Sequence, residues 1–301
     1  MEPPPGQHNS VFWGPQGLRV GWRLLLAATV WLALLAAMQV GLVLIPPVRA
    51  WLVTQSLATV TPAFLLFGEG PSVIAMLLAM ALMAKIEGRR FADYYFPTDE
   101  ILGKRFWQGV PFGFAAASLM MGLIAALHGF SLGSLGLNAA QAVEYGGLYF
   151  FAFLLVGLFE EAAFRGYLQA TLSEATGFWP AALALSALFG LTHLANPGET
   201  KYGALMVAAF GLLSAFTLQR TGNLWFAIGM HTAWDWGETF FYSVPDSGIL
   251  AYGHLYNSAF HGPTWLTGGA VGPEGSIVSF VTLGLCAVAI HFLFPRRAIE
   301  E

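Results

Sequence analysis

The chain has 301 residues, of which 56% are hydrophobic and only 10% are charged, and its formal net charge is −4. Soluble domains carry about 25% charged residues, so this composition is typical of an integral membrane protein, and the lack of a basic stripe argues against a nucleic-acid partner. A single cysteine, Cys286, excludes a disulfide within the chain and a zinc site built on several cysteines.

The chain begins with a polar, Pro-rich stretch, and we expect residues 1–18 to be a disordered N-terminal tail. Apolar runs of about 20 residues follow, each long enough for a helix that crosses a bilayer. A Gly-Glu-Gly-Pro stretch at 68–71 interrupts the second run, which we count as one span. The sequence therefore predicts an all-α polytopic membrane protein with about eight transmembrane helices, in which residues 19–301 form a single integral membrane domain. The predicted spans are 22–45, 57–84, 107–128, 146–168, 179–195, 203–219, 223–243 and 277–294.

The basic residues separate cleanly between the two sides that these spans define. If the N-terminus is inside, almost all Lys and Arg residues outside the spans are inside as well, and the positive-inside rule then places both termini in the cytoplasm. The longest connection, 244–276, has no Lys or Arg and is expected outside. Because no cleavable signal pattern precedes the first span, we expect a multi-pass protein of a prokaryotic plasma (inner) membrane, in contact with its lipids. The inner residues are Arg19, Arg23, Lys85, Arg89, Arg90, Lys104, Arg105, Arg220, Arg296 and Arg297, and the outer ones are Arg49 and Lys201.

The fourth span contains three charged residues, Glu160, Glu161 and Arg165. An ionised group in a membrane helix costs roughly 2.5–3.5 kcal/mol on insertion scales, so such residues are expected to pair, to face a wet cavity or to do chemistry. Glu161 and Arg165 are four residues apart and share one helix face, which predicts an internal ion pair. Glu160 is rotated by about 100° from Glu161 and is left without that partner.

Two later spans carry polar groups at the same helical spacing. His193 follows Phe189 by four residues, and His231 precedes Asp235 by four. Glu238 continues the face that carries His231. Three isolated polar residues, for which we expect packing or capping roles, are Glu69, His128 and His291.

Together these groups can activate water. A carboxylate without a salt-bridge partner in a low-dielectric pocket holds a proton more readily than in water, so it can act as a general base. Two histidines and a second carboxylate can position the water, stabilise an oxyanion or bind a metal. We therefore expect hydrolysis of a carbonyl compound inside the membrane, with a purely structural polar network as the simpler alternative.

In order along the chain, Glu160-Glu161-xxx-Arg165, Phe189-xxx-His193 and His231-xxx-Asp235 resemble the motifs of the CPBP intramembrane proteases. This family includes the CAAX prenyl endopeptidases and the bacterial bacteriocin-processing and self-immunity (Abi) proteins. The resemblance covers about 145–243, the predicted catalytic core, and implies an intramembrane endopeptidase. We expect its substrate to be a membrane-associated peptide with an apolar or lipidated end, such as a prenylated CAAX-type peptide, and its cavity to open toward the cytoplasm.

The resemblance also implies the catalytic roles. Glu160 would be the general base, assisted by His193, and Glu161 with Arg165 would be the supporting pair. The oxyanion side of the site would be His231 and Asp235.

Asp235 departs from the prenyl endopeptidases, which carry Asn at this position. Asn donates a hydrogen bond at any pH, whereas Asp must be protonated to donate one to an oxyanion. An ionised Asp235 would instead suit a divalent metal such as zinc, the one cofactor that the motifs leave open. Both mechanisms, glutamate-type and metal-dependent, stay open at this stage. The metal ligands would then be Glu160, His193, His231 and Asp235.

Other functions and other protease types fit less well. Buried carboxylates and histidines also occur in proton-coupled transporters, but the chain has no repeated halves. A non-catalytic scaffold or immunity protein is the third hypothesis. The chain has no His-Glu-x-x-His motif, and the Gly-x-Ser-x-Gly spelling at 129–133 falls in a predicted loop, where we expect a turn.

Overall fold

The computed structural model describes residues 11–14, 17–56 and 59–295, and most of them are helical. Residues 1–10 of the predicted tail and the C-terminal basic residues at 296–297 lie outside the described residues. In the described part of the tail, β1 (Trp13–Gly14) pairs antiparallel with β2 (Gly17–Leu18).

Helices occupy all eight predicted apolar runs. Five of them are long and apolar enough to cross a membrane, which agrees with a helical membrane protein, whereas the count of eight spans stays a prediction. The second run is one continuous helix despite Pro71. In chain order the helices are α1 (Val20–Val43), α2 (Pro46–Leu52), α3 (Pro62–Glu87), α4 (Lys104–Ala126), α5 (Ala139–Glu161), α6 (Gln169–Thr176), α7 (Phe178–His193), α8 (Lys201–Thr221), α9 (Trp225–Trp236), α10 (Thr264–Thr267) and α11 (Ile277–Leu293).

Ion pairs join the helix ends at one end of the bundle, which we call the basic end. Arg23 near the start of α1 pairs with Glu87 at the end of α3 and with Glu174 in α6. At the same end, Asn223 after α8 donates to Glu100 in the connection between α3 and α4. Arg220 at the end of α8 hydrogen-bonds to His291 and to the carbonyl of Phe294, so the described chain starts and finishes at this end. Which side of the membrane it faces stays a prediction.

Short strands tie the connections together at the opposite end, the loop end. The connection 244–276 pairs with two other connections and lies over the helices between them. Its residue Tyr256 also bridges to Leu135. The 129–133 segment contains one of these strands and leads to no helix directly, unlike a nucleophile elbow. The strands are β3 (Thr59–Val60), paired in parallel with β5 (Leu250–Ala251), and β4 (Phe130–Ser131), paired antiparallel with β6 (Ala259–Phe260).

Helices α4 and α9 are in close contact, since small residues let their backbones approach. At Gly113 in α4 an added Cβ would meet the backbone carbonyl of Met230, the residue before His231. At Gly122 in the same helix an added Cβ would meet nothing within 4 Å. The packing at Gly113 therefore fixes the position of α9.

We expect Gly113→Ala to lower the free energy of unfolding by about 1–3 kcal/mol, because overpacking of a close contact costs that much. Gly122→Ala, the matched control, should leave stability nearly unchanged. Thermal unfolding of the two purified variants in detergent measures the difference. Equal melting temperatures would contradict the assigned contact.

Candidate active site

The first motif lies where α5 ends. Glu160 and Glu161 are its last two residues, and a π-helical turn, Ala162–Leu168, follows directly with its backbone kinked at Gly166. Such turns are rare and often occur at functional sites. A second π-helical turn, Gly237–Tyr242, follows α9 directly after the third motif.

Glu161 and Arg165 form the predicted ion pair, deep in the protein. Their side chains are 0% and 2% exposed, and Arg165 Nη1 lies 3.5 Å from Glu161 Oε1. Ser214 in α8 donates a hydrogen bond to the same carboxylate at 3.2 Å. The guanidinium lies 4.2 Å above the centre of the Phe189 ring, and Gly211 leaves room for it, since a Cβ there would meet Arg165. This arrangement fixes the α5 terminus against α7 and α8.

Glu160 faces both histidines of the later motifs. Its Oε2 lies 3.4 Å from His231 Nε2 and its Oε1 lies 3.9 Å from His193 Nε2. The side chains of Glu160 and His193 are 19% and 15% exposed, so they are shielded but reachable. His193 is the last residue of α7, a helix of only 16 residues, and there it meets Glu160 at the end of α5.

Hydrogen-bond partners define the roles of both imidazoles. His193 Nδ1 lies 2.9 Å from the carbonyl of Phe189, which can only accept, so Nδ1 donates and Nε2 of the neutral ring is an acceptor. His231 Nδ1 lies 3.0 Å from Glu161 Oε1 and donates in the same way. His231 Nε2 is then turned toward Glu160 and lies 3.6 Å from Asp235 Oδ2.

All four of these side chains line one cavity of about 370 Å³. Apolar and aromatic residues form most of its wall, and the remaining polar lining comes from positions that the motifs do not cover. Glu69 of α3 is one of them, and its Oε2 has no hydrogen-bond partner among the described residues. The acidic residues that line the cavity are Glu69, Glu160, Asp235, Asp246 and Glu274.

The cavity extends toward the loop end. Its wall includes Val60, Ile249 and Ala251 from the paired connections and no residue of the basic end. The side of the membrane to which the cavity opens stays a prediction, as does the cytoplasmic location of the basic end.

The four residues that would bind a metal in a metal-dependent mechanism do not form one ligand group. Among the described residues, three ligand atoms lie within 4.8 Å of one another only in Glu238, Asp246 and Glu274, not in the set of Glu160 with the two histidines and Asp235. We therefore derive no catalytic step through a metal. Sequence reasoning missed Asp246 and Glu274, which lie in a Gly-rich loop with no recognisable spacing. Burial and the neighbouring Glu274 carboxylate raise the pKa of Asp246 well above its ordinary value.

Comparison with known proteins supports the resemblance found in the motifs. Residues 142–237 match the family model described as type II CAAX prenyl endopeptidase Rce1-like. The matched segment contains all six predicted site residues, and it coincides closely with the predicted core at about 145–243. None of the curated proteins matches the chain.

Proposed function

We propose, from the match of its core to the Rce1-like type II CAAX prenyl endopeptidases, that this chain is an intramembrane endopeptidase in which Glu160 activates the attacking water. At the family level the match supports a membrane protease of the CAAX type. The roles of individual residues and the substrate are our proposal, and they rest on the geometry of the cavity.

One observation carries the mechanism: Glu160 Oε1 and His193 Nε2 face each other across 3.9 Å, and an ionised Glu160 and a neutral His193 both accept hydrogen bonds there. A gap of this size between polar atoms is bridged well by water. A water that donates one hydrogen to each acceptor has its lone pairs directed away from both and toward the cavity. Glu160 then takes the proton as the water attacks the peptide carbonyl, and it can pass this proton to the leaving amine.

His231 and Asp235 would stabilise the oxyanion. His231 Nε2 and Asp235 Oδ2 face each other across 3.6 Å, and a proton on either atom provides a hydrogen-bond donor. Glu161 accepts from His231 Nδ1, so it orients the ring with Nε2 toward Glu160 and Asp235. A protonated Asp235 would donate to the oxyanion as an asparagine does at any pH.

The cavity wall indicates the class of substrate. Aromatic and aliphatic side chains enclose the polar groups, as expected for a peptide whose apolar or lipidated end lies in the bilayer. A prenylated peptide of the CAAX type fits this description. The wall gives no preference between a prenyl chain and an apolar peptide end.

The test is cleavage by the protein reconstituted in proteoliposomes. The substrates are one farnesylated CAAX peptide and the same peptide without the farnesyl group, and mass spectrometry identifies the products. We expect one cleaved bond and faster cleavage of the farnesylated peptide. We also expect no inhibition by the zinc chelator 1,10-phenanthroline in calcium-containing buffer. No cleavage of either peptide would contradict the proposed activity, and loss of cleavage with the chelator would contradict the metal-free mechanism.

A further inference from the structure

A second acidic cluster lies next to the catalytic cavity, at the loop end. It brings together Glu238 of the π-helical turn after α9, Asp246 of the following loop, and Glu274 just before α11. One carboxylate oxygen from each lies within 4.8 Å of the others. Glu238 is 0% exposed and Glu274 is 5% exposed, while Asp246 and Glu274 line the cavity.

The hydrogen-bond donors around this cluster leave Glu238 unsatisfied. Ser247 donates its backbone N–H and its hydroxyl to Glu274, and Trp234 donates its indole N–H to the same carboxylate at 3.3 Å. Thr239 donates to Asp246. Neither oxygen of Glu238 accepts a well-aligned hydrogen bond among the described residues, although the side chain is fully buried and the Trp234 indole N–H that is bonded to Glu274 lies beside it.

An unpaired buried carboxylate next to two others has to be neutralised, either by a bound proton or by a bound cation. Burial of an ionised carboxylate without a partner costs several kcal/mol or more, and two neighbouring carboxylates add repulsion. No Lys, Arg or His side chain forms an ion pair with the three carboxylates in the described part of the chain.

We propose that Glu238, Asp246 and Glu274 bind a divalent cation of the oxygen-preferring class, such as calcium. The cluster offers oxygen ligands only, which suit calcium, magnesium or manganese rather than a metal that prefers thiolate or imidazole. Calcium takes its oxygens at 2.3–2.6 Å, so opposite ligands are about 4.6–5.2 Å apart, and three oxygens within 4.8 Å of one another can share it. Further ligands would be water from the cavity. This site is distinct from the metal-binding residues at Glu160 that the sequence analysis left open.

A bound cation would hold the loop that supports the catalytic histidine. Ser247, next to Asp246, is bonded to Glu274 and accepts a hydrogen bond through its carbonyl from Asn196 at 3.0 Å. Asn196 lies three residues after His193, and its backbone N–H donates to the His193 carbonyl. The cation would therefore stabilise the loop end and help to position His193. The second effect rests on the proposed function, whereas the first does not.

The experiment uses the purified full chain in detergent, stripped with EDTA and then titrated with calcium or with magnesium. We expect calcium to raise the melting temperature by several degrees and to bind measurably by calorimetry, because a ligand that binds only the folded state stabilises it. Glu238→Gln should remove the shift and weaken binding by at least about tenfold, equal to 1.4 kcal/mol. Glu144→Gln, a substitution of an exposed glutamate in α5, is the matched control and should respond as the wild type does.

Two outcomes would overturn the proposal. One is a wild-type protein whose melting temperature and calorimetric trace do not change with calcium or magnesium, which would mean that shared protons neutralise the cluster. The other is calcium binding that Glu238→Gln leaves unchanged. If Glu238→Gln does not fold, Asp246→Asn at the cavity surface replaces it. No peptide substrate is needed, so calcium binding without peptide cleavage would support this site while contradicting the proposed function.

Discussion

Replacement of Glu160 by glutamine is expected to lower kcat for peptide cleavage by about 10³-fold, within the range that a general base contributes. Glutamine has the same shape, and the side chain it replaces is partly exposed to the cavity. It cannot take a proton from the water that we place between Glu160 and His193. KM should change little, since the apolar walls rather than Glu160 hold the substrate.

Glu144→Gln provides the control for this prediction. It is the same chemical change on the same helix at an exposed position, and it should leave kcat unchanged. The melting temperatures of both variants should match that of the wild type. Cleavage by Glu160→Gln at the wild-type rate would contradict the role given to Glu160 and would mean that a different group acts as the base.

Arg165→Met is expected to destabilise the protein by about 3–5 kcal/mol, because it removes one partner of a fully buried ion pair. Glu161 would then retain its charge at 0% exposure with Ser214 and His231 as its remaining partners. Met fills much of the same volume over Phe189, so the loss reports on the charge rather than on a cavity. The measurement is thermal unfolding in detergent.

The double variant Glu161→Gln with Arg165→Met separates stability from catalysis. It removes both charges, so most of the lost stability should return. Cleavage should stay low, because glutamine is a weaker acceptor for His231 Nδ1 than the carboxylate that orients the ring. A double variant as unstable as Arg165→Met would contradict the ion-pair argument. Full activity in the double variant would contradict the role given to Glu161.

The local parts of the site could be predicted because they depend only on helical spacing. Glu161 and Arg165, like His231 and Asp235, meet at four residues apart as the sequence predicts. The basic residues that the sequence assigns to the two sides of the membrane likewise lie at opposite ends of the described helices. Long, strongly apolar runs are the pattern for which such reasoning works best.

Other features depend on tertiary packing, which leaves little trace in the sequence. His193 reaches Glu160 because α7 ends early and its last residue lines the cavity. The π-helical turns at the ends of α5 and α9 follow no residue pattern. The room for the Arg165 side chain is left by Gly211, which lies in a different helix. Glu238, Asp246 and Glu274 come together only because the connection 244–276 folds back over the bundle.

The most direct test of the central claim is product analysis in ¹⁸O-labelled water with hydroxylamine present. If a Glu160-activated water attacks the peptide carbonyl directly, a single turnover on the farnesylated CAAX peptide gives an N-terminal product with one ¹⁸O atom in its new carboxylate and no hydroxamate. A hydroxamate product would reveal an acyl-enzyme intermediate and would contradict direct attack by water.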